Sequence, residues 1–333
     1  MTKKIMLLVF LLVWTAVVPA YAFSSPSVYI EPSSEDIQEW IIDSVRLINK
    51  SFINLKLAQK NAQQDEKAIK ILTIGNSFSQ DIDYYLYDIA KSANVDVIVG
   101  NLYNSGCSFE RHWSYASKNE GAYSYYKWKS GKLTKVEYST MKRAILDEDW
   151  DYITFQQSSA HSGLYDTYQP HLNKLVSYVK GNAKNEDVKF ALNMTWAYSS
   201  QSTNDGFFNY NYNQETMYKS IVNSYKYASQ ESKIKLVVPC GTAIQNARTD
   251  KSLKAVGKEL TSDGYHLNSG LGRYIAGLTM FYSIVKEENL DLDLINDVKF
   301  VPDSKDITEK LVNLAKKSAV SAVQSPYAVK SIK

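Results

Sequence analysis

Short apolar runs alternate with amphipathic stretches along most of the chain, and most of the apolar runs end in a turn. The first run, Ile71–Ile74, is rich in β-branched residues and leads directly into Gly75-Asn76-Ser77. Residues 81–90 then show helical spacing, with acidic residues in the first turn. This order predicts a buried strand, a tight turn and a helix, with Ser77 at the carboxyl end of the strand. Open α/β folds bind their ligands at that end.

The same alternation continues toward the C-terminus. Apolar runs predict further strands over residues 95–100, 152–155, 188–194 and 234–238. Helical spacing predicts helices over residues 141–146, 168–179, 214–229, 270–286 and 307–323. Because strands and helices alternate, we expect a three-layer α/β/α domain whose central sheet is parallel and carries helices on both faces. Residues 123–138 depart from this pattern, since aromatic and polar residues alternate there around a Gly-containing turn and predict an aromatic β-hairpin.

The N-terminal residues have the pattern of a secretory signal peptide. Lys3 and Lys4 precede an apolar run over residues 5–18, and Ala20-Tyr21-Ala22 matches an A-x-A cleavage site. The run is shorter than the roughly 20 residues that span a membrane. We therefore expect residues 1–22 to be removed and the mature protein to be secreted or periplasmic. The residue directly after the expected cleavage site is Phe23 and not a cysteine, so a lipid anchor is not predicted.

Three further segments follow the signal peptide. Residues 23–67 are predicted to form a linker and an N-terminal amphipathic helix, with a polar connector over residues 61–67. Residues 68–287 are predicted as the main domain, and residues 288–333 as a connector and a C-terminal helix. The apolar spacing from Ile37 to Leu55 predicts that the N-terminal helix packs on the main domain or on a partner. Its polar face is not basic enough to favour a membrane surface.

Composition narrows the possible partners. The chain of 333 residues is long enough for one large α/β domain. Lys and Arg together number 38 against 35 Asp and Glu, so neither nucleic acid nor an anionic membrane is predicted as a partner. Cys107 and Cys240 are too few for a disulfide framework or a zinc site, and we expect separate buried thiols, with a pair left open. The 25 tyrosines are equally compatible with a glycan-binding surface and with tyrosines that cover the protein surface without a binding role.

Among the four histidines, His266 has an acidic residue at a useful spacing. Asp263 lies three residues earlier, in a Gly-containing turn that precedes a helix. A nucleophilic serine needs a base, and the base needs a group that fixes its tautomer and stabilises its protonated form. One Asp-x-x-His loop can supply both when it curls back on itself. Judged alone, the same residues also fit a turn aspartate beside a surface histidine.

Taken together, the motifs resemble those of the SGNH (GDSL-like) hydrolases, and most closely the DUF4886 group of exported bacterial SGNH-like proteins. The resemblance covers residues 69–286. It rests on Gly-Asn-Ser-Phe-Ser at residues 75–79, Gly106 after the second strand, a polar amide after the third strand, and Asp-Gly-Tyr-His at residues 263–266. It implies that Ser77 is the nucleophile, His266 the general base and then acid, and Asp263 its orienting carboxylate, with no metal or cofactor.

The resemblance also implies an oxyanion hole. The backbone N–H groups of Ser77 and Gly106 would form two of its arms. The third block departs from the family pattern, because Gln156-Gln157-Ser158-Ser159 stands where an Asn is usual. Its Gln-x-x-Ser spacing is similar to that of sialate-type acetylesterases, so Gln156 is the predicted third donor. Three more residues are candidates for substrate binding: Trp196, Tyr198 and Gln157.

The implied function is that of an exported serine esterase that acts through an acyl-enzyme. Export and aromatic richness favour O-acetyl groups on a polysaccharide as the substrate. The aromatic hairpin and the Tyr/Asn-rich loop over residues 207–212 are candidates for a sugar-binding rim. The alternatives are a lipid or thioester hydrolase, a non-catalytic glycan-binding protein on the same fold, and a surface assembly factor that uses its terminal helices. The acyl group, the glycan and the oligomeric state stay open on the sequence.

Overall fold

The computed structural model describes residues 34–251, 253 and 258–332. The predicted signal peptide and linker lie outside these residues. The chain divides after Lys60 into two compact units, which are described separately. None of the helices in the described ranges is both long and apolar enough to cross a membrane.

The first unit is described from Ser34 onward and is helical throughout. Its helix, α1 (Ser34–Lys67), continues past the division of the chain. The predicted polar connector over residues 61–67 is therefore wrong. Residues Asn61–Lys67 contain neither Gly nor Pro and include Ala, Gln, Glu and Lys, which favour helix even where no apolar face marks it.

The second unit contains a seven-stranded sheet with the order β4-β3-β2-β1-β5-β6-β7. The strands are β1 (Ile69–Gly75), β2 (Val97–Tyr103), β3 (Tyr123–Lys129), β4 (Lys132–Ser139), β5 (Tyr152–Phe155), β6 (Lys189–Asn193) and β7 (Leu236–Val238). Five of them, β2, β1, β5, β6 and β7, pair in parallel. The predicted aromatic hairpin is β3–β4, and it joins the same sheet beside β2 in antiparallel register. The sheet is therefore mostly, not wholly, parallel.

Helices cover both faces of the sheet, as the sequence predicted. They are α2 (Ser77–Asp83), α3 (Leu86–Ser92), α4 (Phe109–Ser117), α5 (Met141–Ile145), α6 (His171–Asn182), α7 (Gln214–Ser232), α8 (Cys240–Arg248), α9 (Leu271–Glu287), α10 (Leu294–Asp297) and α11 (Glu309–Gln324). One layer contains α2, α3, α8, α9 and α11, and the other contains α4, α5, α6 and α7. Helix α9 is buried on nearly all sides, because it packs against α2, α3, α8 and α11.

Near the sheet's carboxyl edge, one helix differs from its predicted bounds and another was not predicted. The helix predicted over residues 81–90 begins earlier, at Ser77, and is interrupted at Tyr84 and Tyr85. Helix α8 was not predicted, because Pro239-Cys240-Gly241 is typical of a turn. Gly241 packs closely there, since an added Cβ would lie 2.0 Å from the Thr195 carbonyl oxygen, so only glycine fits at this position.

A buried polar cluster lies beneath the turn that carries Ser77. Asn101 Nδ2 on β2 lies 2.7 Å from Asp83 Oδ2, 2.9 Å from Thr73 Oγ1 and 3.3 Å from Ser79 Oγ. The Thr73 hydroxyl also donates to Asp83. Burial raises the pKa of Asp83 to about 7, against the hydrogen bonds from Thr73 and Asn101, which lower it. The cluster fixes α2 on β1 and β2, and hence the position of the turn.

We expect Asp83→Asn to change how stability depends on pH. The amide oxygen can still accept from Thr73 and Asn101, but the side chain cannot ionise. Between the ordinary value of 3.8 and about 7, the unfolded wild-type chain has released this proton while the folded protein retains it, so its free energy of unfolding falls as pH rises. The stability of Asp83→Asn relative to wild type should therefore increase by at least about 1 kcal/mol between pH 5 and pH 8 in urea denaturation.

The matched control is Asp96→Asn, since Asp96 is exposed. Its difference from wild type should stay constant over the same pH range. A difference for Asp83→Asn that is likewise constant would contradict a buried, protonated Asp83.

Candidate active site

Ser77 is the first residue of α2 and follows β1 by a single residue. Asn76 caps the helix, because its side-chain oxygen accepts from the Phe78 N–H at 3.0 Å. The Asn76 amide nitrogen donates to the Cys107 carbonyl at 3.1 Å, and the Asn104 N–H donates to the Gly75 carbonyl at 3.1 Å. These bonds join the Ser77 turn to the loop after β2.

The hydroxyl of Ser77 contacts a histidine from the other end of the domain. His266 Nε2 lies 2.8 Å from Ser77 Oγ. His266 Nδ1 lies 2.7 Å from Asp263 Oδ2. The structure thus brings the three residues together in the order serine, histidine, carboxylate. The His266 and Asp263 side chains are 26% and 43% exposed, so the series is open to solvent on one side.

Asp263 also shapes the loop that carries the histidine. Its Oδ1 accepts from the backbone N–H groups of Tyr265 at 3.1 Å and His266 at 2.8 Å. Partial burial acts to raise the pKa of Asp263, but the hydrogen bonds from the His266 ring and the two N–H groups outweigh it and hold that pKa below its usual value. The carboxylate is therefore ionised at neutral pH and fixes the Nδ1–H tautomer of the imidazole.

A second carboxylate, Asp81, connects the histidine loop to the serine helix. Asp81 lies one turn after Ser77 on α2 and is buried. Its Oδ2 accepts from the Leu267 N–H at 2.8 Å, and its Oδ1 accepts from Arg273 Nε at 2.8 Å. Burial raises the pKa of Asp81, and Arg273 and the Leu267 N–H oppose that effect. This one side chain binds the residue after His266 to the helix that begins with Ser77.

The predicted substrate-binding aromatics lie beneath this loop and are fully buried. Trp196 stacks on Phe78 with ring centroids 4.2 Å apart, and its Nε1–H donates to the Tyr265 carbonyl at 2.7 Å. The Tyr198 hydroxyl lies 2.8 Å from Ser159 Oγ, and its ring contacts that of Tyr265 at 5.7 Å. In this structure the two residues support the histidine loop from inside.

Gly106 lies on the exposed loop after β2, in the left-handed region with φ +58°. An added Cβ would meet no described atom within 4 Å. Its conformation, not close packing, is therefore what requires glycine here. Cys107, the next residue, is tied to the Asn76 amide, so the Gly106 loop and the Ser77 turn are held side by side.

The two glutamines after β5 are buried and hydrogen-bonded within the protein. Gln156 Oε1 accepts from the Asn76 N–H at 3.2 Å, and its Nε2 donates to the Gln157 carbonyl. Gln157 Oε1 accepts from the N–H groups of Phe109 and Ser158, both at 2.9 Å, and its Nε2 donates to Thr167. Gln156 thus holds the Ser77 turn from below, and Gln157 holds the start of α4.

His112, Cys107 and Cys240 are not members of this hydrogen-bonded series, although the Cys107 carbonyl is bonded to Asn76. His112 is buried on α4, where its Nδ1 lies 3.0 Å from the Tyr123 hydroxyl, and burial lowers its pKa to about 3. Cys107 and Cys240 are separate buried thiols, as predicted, and burial raises the pKa of Cys107 to about 12. The sequence pattern did not single out Asp81, since an acid in a first helical turn is ordinary, and no spacing signals its contacts with Leu267 and Arg273.

Comparison with known proteins identifies a family and a solved structure within it. A family model described as "Domain of unknown function (DUF4886)" matches residues 70–322. The crystal structure of a DUF4886 family protein from Bacteroides uniformis ATCC 8492 is 37% identical, with a TM-score of 0.73, over 80% of this chain and 98% of that one. No curated protein matches the chain.

More distant structures have lower sequence identity and lower TM-scores. A protein from Slackia heliotrinireducens, proposed to be an SGNH hydrolase, is 18% identical over 65% of this chain and 99% of that one, with a TM-score of 0.43. An acetylxylan esterase from Geobacillus stearothermophilus is 11% identical over 68% of this chain and 97% of that one, with a TM-score of 0.41. At such values nothing about the substrate of this chain follows from either structure.

We expect Asp81→Asn to lower the free energy of unfolding by about 3 kcal/mol or more, because it leaves the Arg273 guanidinium partly buried without its carboxylate. Urea denaturation measures this loss. Hydrogen exchange should also show that the Leu267 amide loses protection before the amides of β1 do. Asp88→Asn, on the neighbouring helix α3, is the control and should change both measurements little. Unchanged protection of Leu267 in Asp81→Asn would contradict the connecting role of Asp81.

Proposed function

The chain belongs to the DUF4886 family, and we propose that it is a serine esterase whose nucleophile is Ser77. The observation that carries the proposal is the continuous hydrogen-bonded series from Ser77 Oγ through both nitrogens of His266 to Asp263, at 2.8 and 2.7 Å. A serine in such a series is activated, because the imidazole accepts its proton as the oxygen attacks. The partial exposure of His266 and Asp263 lets an ester reach the serine.

The proposed reaction has two displacements. In the first, Ser77 Oγ attacks the ester carbonyl and its proton passes to His266 Nε2. The ester C–O bond then breaks, His266 returns the proton to the departing alcohol, and an acyl-serine remains. In the second, water attacks the acyl carbonyl while His266 takes one of its protons. The bond between the acyl carbon and Ser77 Oγ then breaks, His266 returns the proton to Ser77 Oγ, and the carboxylic acid leaves. Asp263 stays ionised throughout and stabilises the imidazolium.

Negative charge develops on the carbonyl oxygen in both steps. The Ser77 N–H is at the first turn of α2, where helix N–H groups have no partner within the helix and the dipole favours an anion. The Gly106 N–H, on the loop tied to Asn76, is proposed as the second donor. For Gln156 we propose a positioning role in place of direct donation, because both ends of its amide are engaged by Asn76 and Gln157.

The proposed substrate is an O-acetyl group on a polysaccharide, met outside the cell after export. Support comes from the signal-peptide pattern of residues 1–22 and from large exposed aromatic side chains on the domain, which suit sugar rings. A lipid ester or a thioester is the alternative for the same chemistry.

A non-catalytic glycan-binding protein on this fold is the second candidate. The internal engagement of Gln156 and Gln157 favours it, since it leaves two backbone donors where the SGNH pattern expects a third from a side chain. Covalent labelling separates the two candidates, because labelling needs an activated serine and not a complete substrate site.

We expect a fluorophosphonate to add once to the mature wild-type protein, as read by intact mass. Ser77→Ala should abolish the adduct, and His266→Ala should slow its formation by about 1,000-fold or more, because the serine loses its base. Ser105→Ala and His161→Ala are the matched controls on nearby exposed or half-exposed residues and should label normally. A folded wild-type protein that takes no adduct would exclude the esterase and favour the glycan-binding protein.

A substitution at Gly106 tests the proposed oxyanion donor. In Gly106→Ala the added Cβ has no described atom within 4 Å, so the substitution acts through the backbone conformation. A φ of +58° costs an alanine about 1–2 kcal/mol. We expect kcat on 4-nitrophenyl acetate to fall about 100-fold with KM nearly constant, because the N–H moves away from the developing charge. Gly131→Ala is the control, since Gly131 has φ +75° in the β3–β4 turn and the same strain arises far from Ser77. Equal activity of the two variants would remove Gly106 from the site.

A further inference from the structure

The loop between β6 and α7 exposes two large aromatic side chains. Phe208 is 68% exposed and Tyr212 is 59% exposed, whereas Phe207 and Tyr210 beside them are buried. Burying aromatic rings of this size is favourable, so two exposed rings in one loop have a cost that the fold alone does not explain. Their ring centroids lie 6.3 Å apart with the planes at 67°, so together they form a corner.

The loop that holds these rings is fixed to the domain. The Tyr210 hydroxyl donates to the Ala160 carbonyl at 2.9 Å and accepts from the Gly163 N–H at 2.9 Å. Asn209 Nδ2 donates to the same Ala160 carbonyl at 3.3 Å. Gly206 packs so closely on Ala160 that an added Cβ would lie 2.4 Å from the Ala160 Cβ. The aromatic corner is therefore preorganised, which lowers the entropy cost of binding.

Tyr212 is held in its exposed position with a strained backbone. Asn211 has φ +55° and Tyr212 has φ +53°, both in the left-handed region. An asparagine tolerates that region, but a tyrosine does not adopt it readily, and such residues cost about 1–3 kcal/mol each. Strain of this kind persists where the surrounding structure enforces it and often marks a binding site.

The corner lies on the same side of the domain as the proposed catalytic residues. The loop packs on the turn at residues 159–161, which begins four residues after the end of β5. Strand β5 pairs with β1, whose carboxyl end carries Ser77. A series of ring contacts also joins His266 to the corner. Centroids are 4.1 Å apart from His266 to Tyr265, 5.7 Å from Tyr265 to Tyr198, 5.7 Å from Tyr198 to Phe207 and 5.9 Å from Phe207 to Tyr212.

The chemistry of the loop suits a sugar better than an ion or a peptide with charged groups. Residues 206–213 contain no charged side chain, and exposed Asn209 and Asn211 lie between the aromatic residues. A pyranose ring presents an apolar C–H face and a rim of hydroxyl groups. Aromatic faces flanked by amide groups match both parts.

We propose that Phe208 and Tyr212 form a saccharide-binding subsite that holds the neutral polysaccharide chain some sugar units away from the acyl group cleaved at Ser77. This inference rests on the proposed function. The subsite contributes to binding of the chain and not to the chemistry at the ester. Its loss should therefore raise the KM for long saccharide substrates and leave the hydrolysis of small esters unaffected.

The double variant Phe208→Ala/Tyr212→Ala tests the subsite. We expect kcat/KM on 4-nitrophenyl acetate to stay within about twofold of wild type, since that ester is too small to reach the corner. On acetylated xylohexaose, used as the probe, KM should rise at least about tenfold with kcat nearly unchanged. Tyr227→Ala is the matched control. Tyr227 is 55% exposed, but it lies roughly 20 Å along α7 from Gln214, where the helix begins beside the corner. It should behave as wild type on both substrates.

Calorimetric titration in the Ser77→Ala background separates this proposal from the proposed function. Xylohexaose and other neutral hexasaccharides should bind Ser77→Ala, and the Phe208→Ala/Tyr212→Ala changes should weaken that binding at least about tenfold even if the wild type hydrolyses no ester. Wild-type esterase activity with unchanged KM in the double variant would overturn the subsite and leave the esterase standing. A double variant that changes only the oligomeric state would make the corner a contact between copies, and binding of no hexasaccharide would likewise overturn the proposal.

Discussion

The position of the candidate site depends on one buried carboxylate. Ser77 and His266 are 189 residues apart in the chain, and each belongs to a different strand–helix connection. Asp81 joins them, because it accepts from the Leu267 N–H and from Arg273 while it lies on the helix that Ser77 begins. A hydrogen bond of 2.8 Å between serine and histidine tolerates little relative movement. The geometry of the pair therefore depends on this connection, to which the stacking of Trp196 on Phe78 and its bond to Tyr265 add.

Much of the fold followed from local pattern. Strand β5 has the predicted bounds, Tyr152–Phe155, because a short apolar run between polar turns leaves little freedom of register. Elements whose bounds or partners depend on packing could not be predicted from local pattern. Helix α8 begins within the turn-like Pro239-Cys240-Gly241, where Gly241 packs on the Thr195 carbonyl, and α1 continues through a polar segment that no apolar face marks. The antiparallel pairing of β3 with β2 also needed the structure, since a hairpin pattern does not state which strand it joins.

The candidate site also has features that the sequence predicts and features that only the structure reveals. Asp263 and His266 are three residues apart, and the contact between them is local enough to be predicted from spacing. Their meeting with Ser77 was expected from a resemblance to a family, and the structure brings the three side chains together. The orientation of Gln156 was not readable, because a buried amide can face a ligand or the backbone behind it. Here it faces Asn76, and the turn is held from below as well as from the side.

The aromatic hairpin has a consequence for the sheet's open edge. An unpaired strand edge can pair with the edge of another molecule and start aggregation. The β3–β4 hairpin covers β2, and its outer strand β4 carries exposed Lys132 and Lys135, which are poor partners for a second sheet. At the opposite edge β7 is only three residues long. The domain thus offers neighbouring molecules no long apolar strand among its described residues, and we infer that it resists intermolecular sheet formation at high local concentration.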